Sequence, residues 1–225
     1  MSMPKVAEIF VNVVSNMHTD LDAIYHSTRH ETLADWKFRQ NALVTGSGGL
    51  AGSIPGLHLA GLAADVAFVL NRMGTAAYGI GAIMGQARFA DTILEADDFS
   101  LILAYWANDE DVVQALTNPD MAELGVKVSA DLGDQLTPGG AAKILTKALI
   151  AASPRLAADQ LSATIAAKPA ANFASKFVVR GIGGFVPFIG AAVGAGLNLW
   201  LLNDIQEAAA AFYGHKIRLA EQLCQ

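Results

Sequence analysis

The sequence predicts an all-helical fold, and three observations carry that prediction. Apolar residues near the start recur every third or fourth position, three later segments open with a capping side chain followed by proline, and alternating β-branched runs are absent while alanine is abundant. The reading is one domain over residues 1–225, a helical bundle with two glycine- and proline-containing apolar hairpins.

The first element follows from Val6, Phe10, Val13, Met17, Leu21 and Ile24, which form the stripe of an amphipathic helix over about residues 4–38. The stripe weakens at Ser27–Arg29. Between Gly46 and Gly56 glycine occurs five times, closing on Pro55-Gly56, and an apolar helix is expected from Leu57 to Tyr78 with Gly79 in the usual C-terminal position. One or two helices should follow, broken near Asp97-Asp98. Asn118-Pro119, Thr137-Pro138 and Ser153-Pro154 each place a cap before a proline whose missing N–H is harmless in the first turn. Lys168-Pro169 should end the last of these helices.

Composition asks where the apolar surface goes. Hydrophobic residues make up 53% of the 225 and charged ones 16%, against roughly 45–50% and about 25% in ordinary soluble domains; mean hydropathy is +0.37. The most apolar run is Gly181–Leu202, whose strongly polar side chain is Asn198. Such a length suits a membrane crossing, but Pro187 kinks a helix, so a loop followed by a helix from Phe188 is the competing reading. Gly190 and Gly194 stand in a G-x-x-x-G spacing, as do Gly81 and Gly85, and small residues so spaced let two helix backbones approach. The segments at about 43–80 and 181–213 share a glycine cluster, a proline and a closing Tyr-Gly (Tyr78-Gly79, Tyr213-Gly214), a loose repeat that suggests two hairpins about an approximate two-fold axis. From Lys143 to Arg180, Lys143, Lys147, Arg155, Lys168, Lys176 and Arg180 face only Asp159. That basic stretch fits an anionic membrane surface, and equally a solvated helix face.

The net charge of −6 argues against nucleic-acid binding, which needs a dense basic face. Cys224 is the single cysteine, so no internal disulfide forms. Met1-Ser2-Met3-Pro4-Lys5 lacks the pattern of a secretory signal, which makes a cytoplasmic setting the default expectation.

Several stretches together resemble the EcsC family: Trp36–Ala42, Gly46–Leu50, Pro55, Arg72–Gly79, Gly125–Val128, Ser175–Phe177, Val186–Gly196 and Ala208–Tyr213, in order and at compatible spacing. The resemblance implies a bacterial, largely helical protein without established catalysis, from a family named for a member encoded beside an ABC transporter, with membrane association expected. Where that family commonly has an acidic residue after the late glycine cluster, this chain has Asn198.

Candidate sites follow from these readings. Membrane or lipid contact is expected at Lys176, Arg180, Phe185, Pro187, Phe188, Gly190, Gly194 and Trp200, with a membrane protein as a further possible partner and no cofactor. His58, Asp65 and Arg72, seven apart on one helix, predict a polar track or a buried Asp65–Arg72 network joined by Tyr78, Asn198 or Asp204, since ionisable groups in apolar surroundings are costly unless paired. His26 and His30, four apart with Glu31 adjacent, could share a metal on one helix face, although a third ligand is not evident and His-Glu-x-x-His is absent. Gly46-x-Gly48-x-x-Ala51 imitates a dinucleotide fingerprint without the preceding strand. No nucleophile–base pattern emerges. The alternative to a membrane-docking protein is a soluble helical module that binds a lipid or other hydrophobic molecule between the hairpins.

Overall fold

The computed structural model describes residues 10, 12–14, 17–51, 58–118, 120, 137–152 and 187–224, with side chains undescribed at 46–51, 58–66, 152, 187–195 and 197. Among these residues every regular element is a helix: α1 Leu21–Ser27, α2 Leu33–Ala51, α3 His58–Phe89, α4 Asp98–Trp106, α5 Glu110–Thr117, α6 Pro138–Ala152 and α7 Pro187–Leu223.

The expected single N-terminal helix over 4–38 is interrupted twice. Asp20 caps α1, its carboxylate accepting from the Ala23 amide at 2.9 Å. The helix stops at Ser27, where the Thr28 hydroxyl turns back to the Ile24 carbonyl at 3.0 Å. A new start follows at Thr32, whose Oγ1 accepts from the Asp35 amide at 3.1 Å while donating to its carboxylate at 2.7 Å. Both starts use short polar side chains that satisfy first-turn donors; the weak stripe at Ser27–Arg29 marked one of the two breaks.

Gly79 does not end a helix. It lies inside α3, which runs on to Phe89 and closes on Ala90 in the left-handed region at φ 52°. A Cβ at Gly79 would meet the Trp36 indole, and one at Gly81 would meet the Tyr213 ring. The Trp36 Nε1–H reaches over this space to the Ala76 carbonyl at 3.1 Å. The Gly81/Gly85 spacing therefore serves side chains, Tyr213 and Ile93, rather than a close approach of two backbones. Gly214 is likewise interior, because α7 continues to Leu223. Thr137-Pro138 starts α6 as expected, with Thr137 Oγ1 accepting from the Gly140 amide at 3.1 Å. Asn118 Oδ1 accepts from the Asp120 amide at 2.9 Å, the cap expected there. Ser153-Pro154 and Lys168-Pro169 lie outside the described residues.

The long α7 packs against α2, α3, α4, α5 and α6 and is the spine of the bundle. Gly81 lies against Tyr213, and Arg88 pairs with Glu221, so α3 and α7 run parallel. Trp36 stands level with Ala76 and Gly79, and Asn41 donates to Asn203 at 2.9 Å and accepts from Gln206 at 3.1 Å. Moving forward along α2 thus means moving backward along α7, and these two are antiparallel. The C-terminal end of α2 and the N-terminal ends of α3 and α7 consequently gather at one end of the bundle. These are the helix ends that carry Gly46–Ala51, His58 onward and Pro187–Gly196.

Candidate functional site

Two places merit scrutiny: a buried polar centre and the glycine-rich end. The centre is built where α4 and α7 meet the 92–97 connection. Asp98 opens α4 and Lys216 lies on the apolar stripe of α7; both side chains are 0% exposed. Lys216 Nζ donates to Asp98 Oδ1 at 2.7 Å, to Oδ2 at 2.8 Å and to the Ile93 carbonyl at 2.7 Å. An ammonium has three N–H donors, so all are used. Asp98 also accepts from the Thr146 hydroxyl of α6 at 2.8 Å and from the Glu95 amide at 3.0 Å. Four donors fill the four lone-pair positions of its carboxylate.

Two tyrosines flank this saturated pair. The Tyr78 hydroxyl donates to the Ala96 carbonyl at 2.5 Å. The Tyr213 hydroxyl is buried beside Asp98 without closing a hydrogen bond of ordinary geometry, because that carboxylate has no acceptor position left. Burial, and secondarily the Asp98 charge, lifts both phenols above their ordinary range. Burial lowers the Lys216 pKa, opposed by the charge and hydrogen bonds of Asp98. Asp97, next door, is raised by burial and by Asp98. A lysine with a lowered pKa has the electronic character of a nucleophile. Here, however, each of its donors is engaged and neither side chain reaches solvent, so the arrangement clamps α4, α6 and α7 together rather than presenting a reactive atom.

This centre was not anticipated. Tyr78, expected on a track with His58, Asp65 and Arg72, stands at this centre. Arg72 is half-buried with its guanidinium 5.6 Å from the Phe68 ring. His58 and Asp65 lie on α3, but their side chains, and so the Asp65–Arg72 pairing, fall outside the described residues. Asn198 is buried on α7 and Asp204 half-buried there. The signal that could have found the centre was Lys216 itself, a charge three or four residues from Phe212, Tyr213, Leu219 and Ala220 on one helical stripe.

His26 and His30 do not share a helix face. His26 sits in the last turn of α1, His30 in the turn that follows, and both are exposed. Among the described residues no group of three or more His, Cys, Asp or Glu could hold a metal ion.

At the glycine-rich end, Pro187 is the first residue of α7, so it starts the helix and does not kink it. Gly190 and Gly194 are helical, and Phe188 with them; their side-chain surroundings, and all of Lys176, Arg180 and Phe185, lie outside the described residues. Gly196 is exposed, with open space where a Cβ would be. Among the described residues the large exposed hydrophobic side chains are Phe38 at 76%, Leu43 at 46% and Trp200 at 41%. Phe38 precedes Asn41 by three residues and Trp200 precedes Asn203 by three, so each lies one turn from the Asn41–Asn203 bond on the α2–α7 flank. No helix among the described residues is long and apolar enough to cross a membrane.

No family model, curated protein or solved structure matches the chain.

Proposed function

We propose that this is a non-catalytic, membrane-associated accessory protein of the EcsC type, which docks its glycine-rich end on the cytoplasmic face of a bacterial membrane. One observation carries the reading. Antiparallel α2 and parallel α3 and α7 bring two glycine-rich apolar stretches, distant in sequence, to the same end of the bundle. Phe38, Leu43 and Trp200 add exposed apolar area on the two helices that lead there. Of these, Trp200 has the aromatic ring with a polar N–H that suits the headgroup level of a bilayer. The basic stretch through Lys176 and Arg180 supplies attraction to anionic lipid, each charge contributing about 1 kcal/mol near the surface.

Flotation of the purified protein with vesicles, without detergent, tests the proposal. The protein should rise with vesicles containing phosphatidylglycerol, and Lys176→Glu/Arg180→Glu should weaken that association while leaving any binding to neutral vesicles unchanged. Protein that stays at the bottom of the gradient with every lipid would sink the reading. If that protein carried stoichiometric co-purified lipid, the alternative of a module holding a hydrophobic molecule between its hairpins would take its place.

A further inference from the structure

At the opposite end of α7 a cleft of about 240 Å³ opens between α5 and α7, lined by Leu116, Thr117, His215, Arg218, Leu219 and Gln222. Its chemistry is lopsided. Leu116 and Leu219 give it an apolar floor, both buried. The Thr117 hydroxyl is turned back onto α5, toward the Val113 and Gln114 carbonyls at 2.9 and 3.2 Å. Arg218 reaches His215 Nδ1 through a terminal guanidinium nitrogen at 2.9 Å and the Gly214 carbonyl through Nε at 3.3 Å.

A guanidinium only donates, so Nδ1 of His215 accepts and the neutral ring carries its proton on Nε2. The lowered pKa of His215, caused by burial and then by the Arg218 charge, agrees with that tautomer. The Tyr105 ring, 6.2 Å from the imidazole between centroids, supports the ring from α4. The charged part of the wall therefore presents donors, the remaining guanidinium N–H groups and one imidazole N–H, beside the Gln222 carboxamide, which can donate or accept. No carboxylate among the described residues pairs with Arg218, and the acid three residues on, Glu221, is taken by Arg88. In a chain of net charge −6, this sets a guanidinium with no carboxylate partner among the described residues above an apolar floor.

We propose that this cleft binds a small carboxylate with a short apolar tail, its charged group on Arg218 and His215 and its tail on Leu116 and Leu219. Ligand pockets for drug-sized molecules start at about 300 Å³, so a cleft of this volume fits a chain of a few carbons. The site lies about 28 Å along α7 from Trp200, at 1.5 Å per residue. It faces away from the proposed membrane end, and its occupant is a solute rather than a bilayer component.

The test is titration with sodium hexanoate, followed by calorimetry and by amide NMR shifts. Saturable binding is expected, with shifts centred on Leu116, Thr117, His215 and Leu219. Arg218→Gln should weaken hexanoate at least about tenfold, the loss of a charge-assisted bidentate contact. Arg218→Lys should fall between the two, and circular dichroism should show both variants folded, since Arg218 is exposed. Equal affinity for 1-hexanol would overturn the charge recognition, and equal affinity for inorganic phosphate would overturn the apolar tail. Shifts absent through the millimolar range, or unchanged by Arg218→Gln, would overturn the site.

Discussion

Among the described residues, α7 is tied to the rest of the molecule by an exposed ion pair and by a buried one. Arg88 and Glu221 meet near the far end of α3 and α7, with side chains 62% and 27% exposed. Asp98 and Lys216 meet at 0% exposure, with every donor and acceptor position filled by each other, by Thr146 of α6 or by the backbone of the 92–97 connection. In water the first pair exchanges protein contacts for hydration at little net gain. The second has given up its hydration entirely, and an ion so placed is tolerable only while its partners are present. The outer pair decorates a packing already made; the inner one decides which packing is allowed, because a slip of α7 by a residue would leave two buried charges unmatched.

The sharpest way to break this contrast is to remove one inner partner. Lys216→Met should lower the unfolding free energy by about 3–5 kcal/mol in urea denaturation, since the Asp98 charge would keep only Thr146 and the Glu95 amide. Asp98→Leu/Lys216→Met should be far less damaging than the sum of its single changes, a coupling of at least about 2 kcal/mol; additive losses would mean that the pair is solvated. Gly81→Ala drives a methyl group into the Tyr213 ring beside the pair. The expected loss is about 1–3 kcal/mol, and it should shrink in a Tyr213→Leu background.

The next expectation concerns alkali. Unfolded, Tyr78 and Tyr213 ionise near 10.0; folded, both hold their protons to higher pH. Above pH 10 the unfolded chain therefore binds fewer protons than the folded one, and stability falls as pH rises, by at most about 1.4 kcal/mol per unit per group. Lys216 acts oppositely below its ordinary 10.5: the folded chain binds fewer protons there, so its contribution improves stability as pH rises to that value. Tyr213→Phe should flatten the alkaline loss between pH 10 and 11.5 without changing the slope below pH 9. An unchanged alkaline slope would show that the hydroxyl is reached by solvent. The smallest effect belongs to the outer pair. Arg88→Ala should leave the urea midpoint unmoved at physiological salt, and a measurable drop there would erase the distinction drawn above.

How much of this was legible varies with the range of the interaction concerned. Thr137-Pro138 gave the start of α6 because a cap is a contact between neighbours, and the missing alternation of a strand is equally local. Gly79 and Gly214 were misread for the same reason. Glycine after an apolar run is a stop signal only when solvent or a turn follows, whereas here an indole fills the space at Gly79 and α7 simply continues. Asp98 and Lys216 stand far apart in sequence, and their pairing depends on Thr146 and the Ile93 carbonyl as well, which no local pattern announces. Trp36 and Phe38 stand two residues apart on α2, yet Trp36 is buried and Phe38 is exposed. Tertiary position, not residue type, separates them.

The placement of the spine helix has a consequence for biosynthesis. Because α7 contributes a surface to α2, α3, α4, α5 and α6, none of those helices has its full set of neighbours until Pro187–Leu223 has left the ribosome. At roughly 5–20 residues per second, Asn41 of α2 waits on the order of ten seconds or more for Asn203 and Gln206, and Asp98 waits for its lysine. Contacts among α1, α2, α3 and α4 can form earlier, so synthesis of α7 sets the last step of assembly, the one that closes the bundle.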